Sequence, residues 1–191
     1  MKIGQGDSGK NFRKTAVSFC RNGRKRYGFG EERGEKPLKY FFVFLSVLGL
    51  DMGTKAWVKK KLPLHEKKEI LPERFYLRHI KNGGMAYNTM EGHRNTILFL
   101  TGGLLLFYGL YFLEMLSGRR EKQGMLPLAV VLAGGLGNFL ERYRNGEVTD
   151  FLYIRAKNAL VFNFADIAVA AGALGMTMSV LGGTIKNKKR C

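Results

Sequence analysis

The sequence predicts an all-α polytopic membrane protein with four transmembrane helices and a small extracytoplasmic β-sheet between helices 1 and 2. The first observation is length, because a helix needs roughly 20 apolar residues to cross about 30 Å of hydrocarbon. Three apolar segments reach that length, and a fourth, over residues 125–140, is shorter and is expected to continue through Glu141 and Arg142 at the interface. The second observation is that charged residues are concentrated between these segments. The predicted spans cover residues 38–58, 96–116, 125–142 and 159–185.

The sheet is predicted from the connection between the first two spans, which is too long for a simple turn. Side chains over residues 75–80 alternate with the period of two that is typical of a strand. The pair Asn82-Gly83 follows, and it favours a tight turn because both residues tolerate positive φ. We therefore expect an outer β region over about residues 69–89, lying on the membrane surface.

The two ends of the chain are polar and basic. Residues 1–36 contain no apolar core such as a cleavable signal peptide requires, and we expect them to form a disordered basic cytoplasmic tail. Residues 37–185 are the membrane domain, and residues 186–191 are a basic cytoplasmic C-terminus. Cys20 and Cys191 would stay reduced in the cytoplasm, so no disulfide is expected.

The formal net charge of +17 indicates an anionic partner. Nucleic acid is not expected, because no recognition motif accompanies the charge. Anionic membrane lipid is expected, because the Lys and Arg residues flank apolar segments. With four spans, the side that holds both termini carries 17 Lys and Arg residues and the other side carries 13. The positive-inside rule then places both termini in the cytoplasm, and a monomer is expected.

Asp166 is the most informative single residue, since it lies in the apolar run from Ala159 to Gly172. A carboxylate at a helix centre costs about 2.5–3.5 kcal/mol on insertion scales, so such a residue marks a candidate functional site. Asp150 lies sixteen residues upstream, before the last span. Two carboxylates about 3 Å apart share one proton, so one can accept a proton from water while the other donates to a substrate carbonyl. The pair is therefore suited to peptide hydrolysis by general acid–base catalysis.

Further polar residues are expected at the same, outer membrane face. Asp51 and Lys55 have the i,i+4 spacing, which a simple structural ion pair would also have. Buried Asn residues commonly bond helices together, and an interfacial Arg can extend to water. No metal or cofactor is expected, because the three His residues lack metal-ligand spacing. The expected polar layer comprises Asp51, Lys55, Asn138, Glu141, Arg142, Asp150, Asn163 and Asp166.

Four short blocks of the chain carry a family resemblance. They are Asp51-Met-Gly-Thr-Lys55, Asn82-Gly-Gly-Met-Ala-Tyr87, the segment 134–151 with Gly-Asn-Phe-Leu-Glu-Arg and Val-Thr-Asp-Phe, and Phe162-Asn-Phe-Ala-Asp166. In this order and at these spans, the chain resembles the bacterial lipoprotein signal peptidases, also called signal peptidase II. Two positions depart from the family pattern, since Tyr87 stands where Phe is usual and Glu141 where Asp is usual.

The resemblance implies an intramembrane aspartic endopeptidase of the bacterial cytoplasmic (inner) membrane, with its active site toward the outer face. It implies cleavage of diacylglyceryl-modified prolipoproteins just before the lipidated cysteine. The implied catalytic pair is Asp150 and Asp166. The residues implied to bind substrate or frame this pair are Asp51, Lys55, Asn82, Asn138, Arg142 and Asn163.

Two other functions could use the same carboxylates. In a small proton- or ion-conducting bundle, Asp51, Asp150 and Asp166 would form a relay. In a lipid-binding membrane scaffold, they would only bond helices together. The relay is less favoured, because the carboxylates cluster toward one membrane face and leave the inner half without a polar path.

Overall fold

A computed structural model describes residues 38–72, 74–85, 89–117, 124–155 and 160–188. The predicted tail over residues 1–36, the last three residues and Tyr87 lie outside these ranges. In chain order the elements are α1 (Leu38–Lys61), β1 (Lys67–Leu71), β2 (Phe75–Asn82), α2 (Arg94–Leu116), α3 (Met125–Asn145), β3 (Val148–Ile154), β4 (Leu160–Phe162) and α4 (Phe164–Lys188).

Helix α3 is the central helix, because it packs against α1, α2 and α4. Two glycines allow the close approach of α3 and α4. A Cβ atom at Gly134 would lie 2.6 Å from the Ala165 carbonyl oxygen, and one at Gly172 would lie 2.8 Å from the Pro127 carbonyl oxygen. Small residues at such contacts let helix backbones meet where lipid supplies no hydrophobic drive. The buried core beside α3 consists of Tyr40, Phe112, Met115, Met125, Leu128, Ala129 and Leu132.

Three of the described helices are long and apolar enough to cross a membrane, namely α1, α2 and the Phe164–Gly182 part of α4. Their outward faces carry large apolar side chains, such as Phe99 at 81% exposure and Met178 at 73%. A face of this kind needs an apolar surrounding. These three helices therefore behave as the sequence predicts for membrane spans.

The sheet is larger than predicted, and half of it comes from a different part of the chain. Its order is β1-β2-β3-β4, with every pair antiparallel. Strands β1 and β2 come from the expected connection, but β3 and β4 come from the connection between α3 and α4. The sheet prediction was incomplete because the residues of β3 do not alternate between apolar and polar side chains as those of a half-buried strand do, and the strand includes Asp150.

The predicted start of the fourth span, at residue 159, is wrong, because the first residues of this segment belong to the sheet. Residues 160–162 form β4, and α4 begins only at Phe164. The side chain of Asn163 accepts a hydrogen bond from the Asp166 N–H, which is how an N-cap residue starts a helix.

The sheet is fixed to the C-terminal end of α1. Val58, Leu62 and Phe151 form a buried apolar cluster there. His79 of β2 is also buried, and its Nδ1 donates to the Leu62 carbonyl oxygen at 2.8 Å. The sheet is thus held above one end of the helix bundle, and β3 brings Asp150 to that end.

Candidate active site

Asp150 lies on β3, buried and 2% exposed. One carboxylate oxygen accepts a hydrogen bond from Asn163 Nδ2 at 2.7 Å, and the other accepts one from Asn82 Nδ2 at 2.9 Å. Asn82 reaches this position because β2 and β3 pair with Asn82 opposite Val148 and Ile80 opposite Asp150. The sheet register therefore places the Asn82 amide on one oxygen of Asp150, while Asn163, between β4 and α4, donates to the other.

Asp166 lies in the first turn of α4 and not in the middle of a helix, which corrects the premise that it is an isolated carboxylate in an apolar run. Its Oδ2 accepts a hydrogen bond from the Asn163 N–H at 3.0 Å, and its own N–H donates to Asn163 Oδ1 at 3.0 Å. This reciprocal pair is a capping box, here formed by Asn and Asp. A negative charge in this turn is also stabilised by the helix dipole. The other oxygen of Asp166 accepts from Asn138 Nδ2 at 2.8 Å.

Asn163 connects the two carboxylates. Its side-chain amide donates to Asp150 and to Asn138 Oδ1, while its carbonyl oxygen caps the turn that contains Asp166. The side chain has no exposed surface. A fully buried amide with all these bonds has one orientation, so it fixes Asp150 relative to Asp166.

Asp51 and Lys55 form the ion pair that their spacing suggests, and each also has a second role. Lys55 Nζ lies 2.8 Å from Asp51 Oδ2 and donates to Asn138 Oδ1 at 2.7 Å. Asp51 Oδ1 accepts the backbone N–H of Ala165 at 3.0 Å, so it caps α4 from a neighbouring helix. Gly137 makes room for this carboxylate, because a Cβ atom there would overlap Asp51 Oδ2.

Arg142 connects the end of α3 to the segment that follows β2. Its Nη2 donates to the Gly84 carbonyl oxygen at 2.7 Å, and the Gly84 N–H donates to Asn82 Oδ1 at 3.0 Å. The residue is buried, 7% exposed, so its side chain does not extend to water as an interfacial Arg could. All eight predicted site residues thus belong to one hydrogen-bonded network of described residues.

Two members of the site were missed by sequence reasoning. Thr149 contacts the carboxylate of Glu141 through its N–H and its hydroxyl, and Lys59 forms an ion pair with the same carboxylate. Thr149 precedes Asp150 in the connection between the third and fourth predicted spans, for which the sequence analysis predicts no strand. The β-branched and aromatic residues among Val148–Ile154 were the available signal for a strand there.

Burial raises the pKa of Asp150 from its ordinary value to about 6. The Asn82 amide acts in the opposite direction, the negative charge of Asp166 raises the pKa further, and the Asn163 amide lowers it. A carboxyl group with a pKa near neutrality can exchange a proton at physiological pH. Among the described residues, no group of His, Cys, Asp and Glu side chains could hold a metal ion.

Comparison with known proteins gives a consistent result. The family model described as "Signal peptidase (SPase) II" matches residues 43–182. The chain is 35% identical over 153 residues to the lipoprotein signal peptidase of Syntrophus aciditrophicus (strain SB), which covers 77% of this chain and 95% of that protein. It is 32% identical over 147 residues to that of Lactococcus lactis subsp. cremoris (strain SK11), covering 77% and 95%.

Two solved structures share the fold. Both are described as bacterial membrane enzyme structures obtained by the in meso method, at 2.3 Å and 1.9 Å resolution. The first has a TM-score of 0.69 at 21% identity and covers 76% of this chain and 89% of its own. The second has a TM-score of 0.66 at 21% identity and covers 75% and 92%. With the family model matched over most of the residues from α1 to α4, the chain belongs to the signal peptidase II family.

Proposed function

We propose that this chain hydrolyses the signal peptide of diacylglyceryl-modified prolipoproteins, just before the lipidated cysteine, with water activated between Asp150 and Asp166. Membership of the signal peptidase II family supports the removal of signal peptides from prolipoproteins. The observation that carries the mechanism is the single buried amide of Asn163, which binds Asp150 and caps the turn of Asp166.

In the proposed mechanism, the two carboxyl groups share one proton. The ionised group accepts a proton from a water molecule as its oxygen attacks the scissile carbonyl carbon, while the protonated group donates to the carbonyl oxygen. Collapse of the tetrahedral intermediate breaks the C–N bond, and the nitrogen takes up the proton that the first carboxyl group received. A hydroxyl of the intermediate returns its proton to the second carboxylate, which leaves a carboxylic acid, an amine and the pair with its one shared proton. The asparagine amides hold the pair in place, so no reorganisation is needed during the reaction.

We propose that α3 is the fourth span of the membrane domain. It has 21 residues, and it is surrounded by the three helices that are apolar enough to cross a membrane. Its buried surface explains why its composition need not resemble that of a lipid-facing helix. Four spans would place both termini in the cytoplasm and the sheet and active site at the outer face, in agreement with the distribution of Lys and Arg. We further propose a monomer whose basic segments face anionic lipid.

The proton-relay alternative has no comparable support. Apart from Asp51, Glu141 and Asp166 in the site, the described helices contain one carboxylate, Glu114 near the end of α2. A relay across the membrane would need further polar groups along the bundle. The arrangement is instead a single cluster, as a hydrolytic site requires.

The test is cleavage of a purified lipidated prolipoprotein by the wild type and by Asp150→Asn and Asp166→Asn in the same detergent or nanodisc. Both variants should lose cleavage by at least about 1000-fold, because neither amide can exchange the catalytic proton. Glu147→Gln is the matched control, since Glu147 is 44% exposed in its side chain and pairs only loosely with Lys81. Because Asp166 also caps α4, the unfolding of each variant is measured as well. Normal cleavage by either variant would rule out the proposed pair.

A further inference from the structure

The carboxylate of Glu141 lies where α1, α3 and β3 meet. It accepts hydrogen bonds from the Thr149 hydroxyl at 2.8 Å and the Thr149 N–H at 3.2 Å. It also lies 3.4 Å from Lys55 Nζ and forms an ion pair with Lys59. The side chain is 9% exposed, so this charge is nearly removed from water. Two cations and two donors are what such a charge needs, and any loss among them is costly.

Through its contact with Thr149, Glu141 binds the residue next to Asp150. Thr149 precedes Asp150 on β3 and is 2% exposed. Because it binds Glu141 through both its backbone N–H and its side chain, the strand cannot slide or rotate at this point. The position of the Asp150 carboxylate relative to α3 is therefore set one residue away, by Glu141.

Through its contact with Lys55, Glu141 is connected indirectly to Asp166. Lys55 also donates to Asn138 Oδ1, and Asn138 Nδ2 donates to Asp166 Oδ1. The charge of Glu141 thus helps to hold the lysine that orients the Asn138 amide. Both carboxylates of the proposed pair are connected to Glu141, one through β3 and one through this chain of side chains.

We propose that Glu141 is a positioning residue for hydrolysis, which sets the separation of Asp150 and Asp166 through Thr149 and Lys55. This inference depends on the proposed function and extends it to the position where the chain has Glu in place of the usual Asp. The ion pair with Lys59, whose side chain is 38% exposed, further compensates the charge of Glu141. Glu141 itself exchanges no proton with the substrate.

The test compares Glu141→Gln, Glu141→Asp and Thr149→Val with the control Glu147→Gln, all measured for kcat, KM and the pH dependence of kcat/KM. Glu141→Gln should lower kcat by about 10- to 100-fold, because a misplacement of about 1 Å costs about 100-fold in rate. KM should change less than about twofold, and Glu141→Asp, which keeps the charge but withdraws the carboxylate by one methylene, should recover only part of the rate. Thr149→Val should lower kcat as well. In the double variant Glu141→Gln/Thr149→Val, the fold-decrease in kcat should be smaller than the product of the two single fold-decreases.

The pH profile separates positioning from a merely structural role. Asp150 faces Asp166, Lys55, Arg142 and the Asn82 amide. In Glu141→Gln, β3 is no longer held by Glu141, so water reaches Asp150 and the burial that raises its pKa to about 6 is reduced. The limb of the kcat/KM against pH profile that reports the ionisation of Asp150 should therefore move to lower pH. A loss of rate with the limb unmoved would mean a smaller folded fraction and would overturn the proposal. Equal behaviour of Glu141→Gln and Glu147→Gln would also overturn it, whereas activity of Asp150→Asn in the same assay would instead refute the proposed function.

Discussion

Replacing Asn163 tests the connection between the two carboxylates most selectively. Asn163→Ala removes the side-chain cap of α4, at about 1 kcal/mol, and the donor to Asp150, at about 1.5–3 kcal/mol for a hydrogen bond to a charged group. Asn163→Ser keeps a good capping oxygen but is too short to reach Asp150. The free energy of unfolding should therefore fall by roughly 2.5–4 kcal/mol in the first variant and by about 1 kcal/mol less in the second.

The catalytic effect of these two variants has a definite sign. The Asn163 amide lowers the pKa of Asp150, so its removal should raise that pKa above about 6 in both variants. A lost interaction of about 1.5–3 kcal/mol corresponds to a displacement of roughly one to two pH units. The limb of the kcat/KM profile governed by Asp150 should therefore move to higher pH, opposite to the movement expected for Glu141→Gln.

The assay is cleavage of a lipidated prolipoprotein between about pH 4 and pH 9, together with denaturant unfolding in the same detergent. Asn145→Ala is a matched control, because Asn145 is exposed at the end of α3. It should leave both the profile and the unfolding free energy unchanged. If the limb stays in place in Asn163→Ala and Asn163→Ser, the amide does not act on Asp150 in the working enzyme, and the reasoning fails.

Three further results are expected. Gly137→Ala should lower the cleavage rate at least about tenfold, because its Cβ displaces Asp51, whereas Gly135→Ala meets only the end of a leucine side chain and should stay near wild type. Gly172→Ala should destabilise the fold by about 1–3 kcal/mol in denaturant unfolding, because its Cβ meets the backbone of α3, and unchanged stability would contradict the packing. Folding raises the pKa of the Asp150 carboxyl group from 3.8 to about 6. The contribution of this group to the free energy of unfolding is therefore full below about pH 4 and is lost as the pH rises through 6. The loss, about 3 kcal/mol in denaturant unfolding, should be absent from Asp150→Asn.

The helices were predictable because apolar length is a local property of the sequence. All four helices begin and end close to the predicted bounds, except where α4 begins at Phe164. That boundary depends on the reciprocal hydrogen bonds between Asn163 and Asp166. The apolar residues around them gave no sign in the sequence that a helix begins at this point. The same run concealed that Asp166 lies in a first turn, where a carboxylate is far less costly than at a helix centre.

The sheet and the contacts of the site were predictable only in part. β3 pairs with β2, which is about 70 residues away in sequence, and such pairing leaves no local signal beyond β-branched composition. The polar layer could be listed because its members lie near helix ends. The connections of Glu141 to Thr149 and Lys59 could not, because they depend on the position of β3 beside the end of α3.

The central claim is that Asp150 and Asp166 together activate the water that cleaves the substrate. The most direct measurement is the single-turnover rate of cleavage of a lipidated prolipoprotein by Asp150→Asn and Asp166→Asn, at equal folded concentration. The claim predicts a loss of at least about 1000-fold in each variant and no greater loss in the double variant, since the two groups act as a unit. A wild-type rate in either single variant would contradict it.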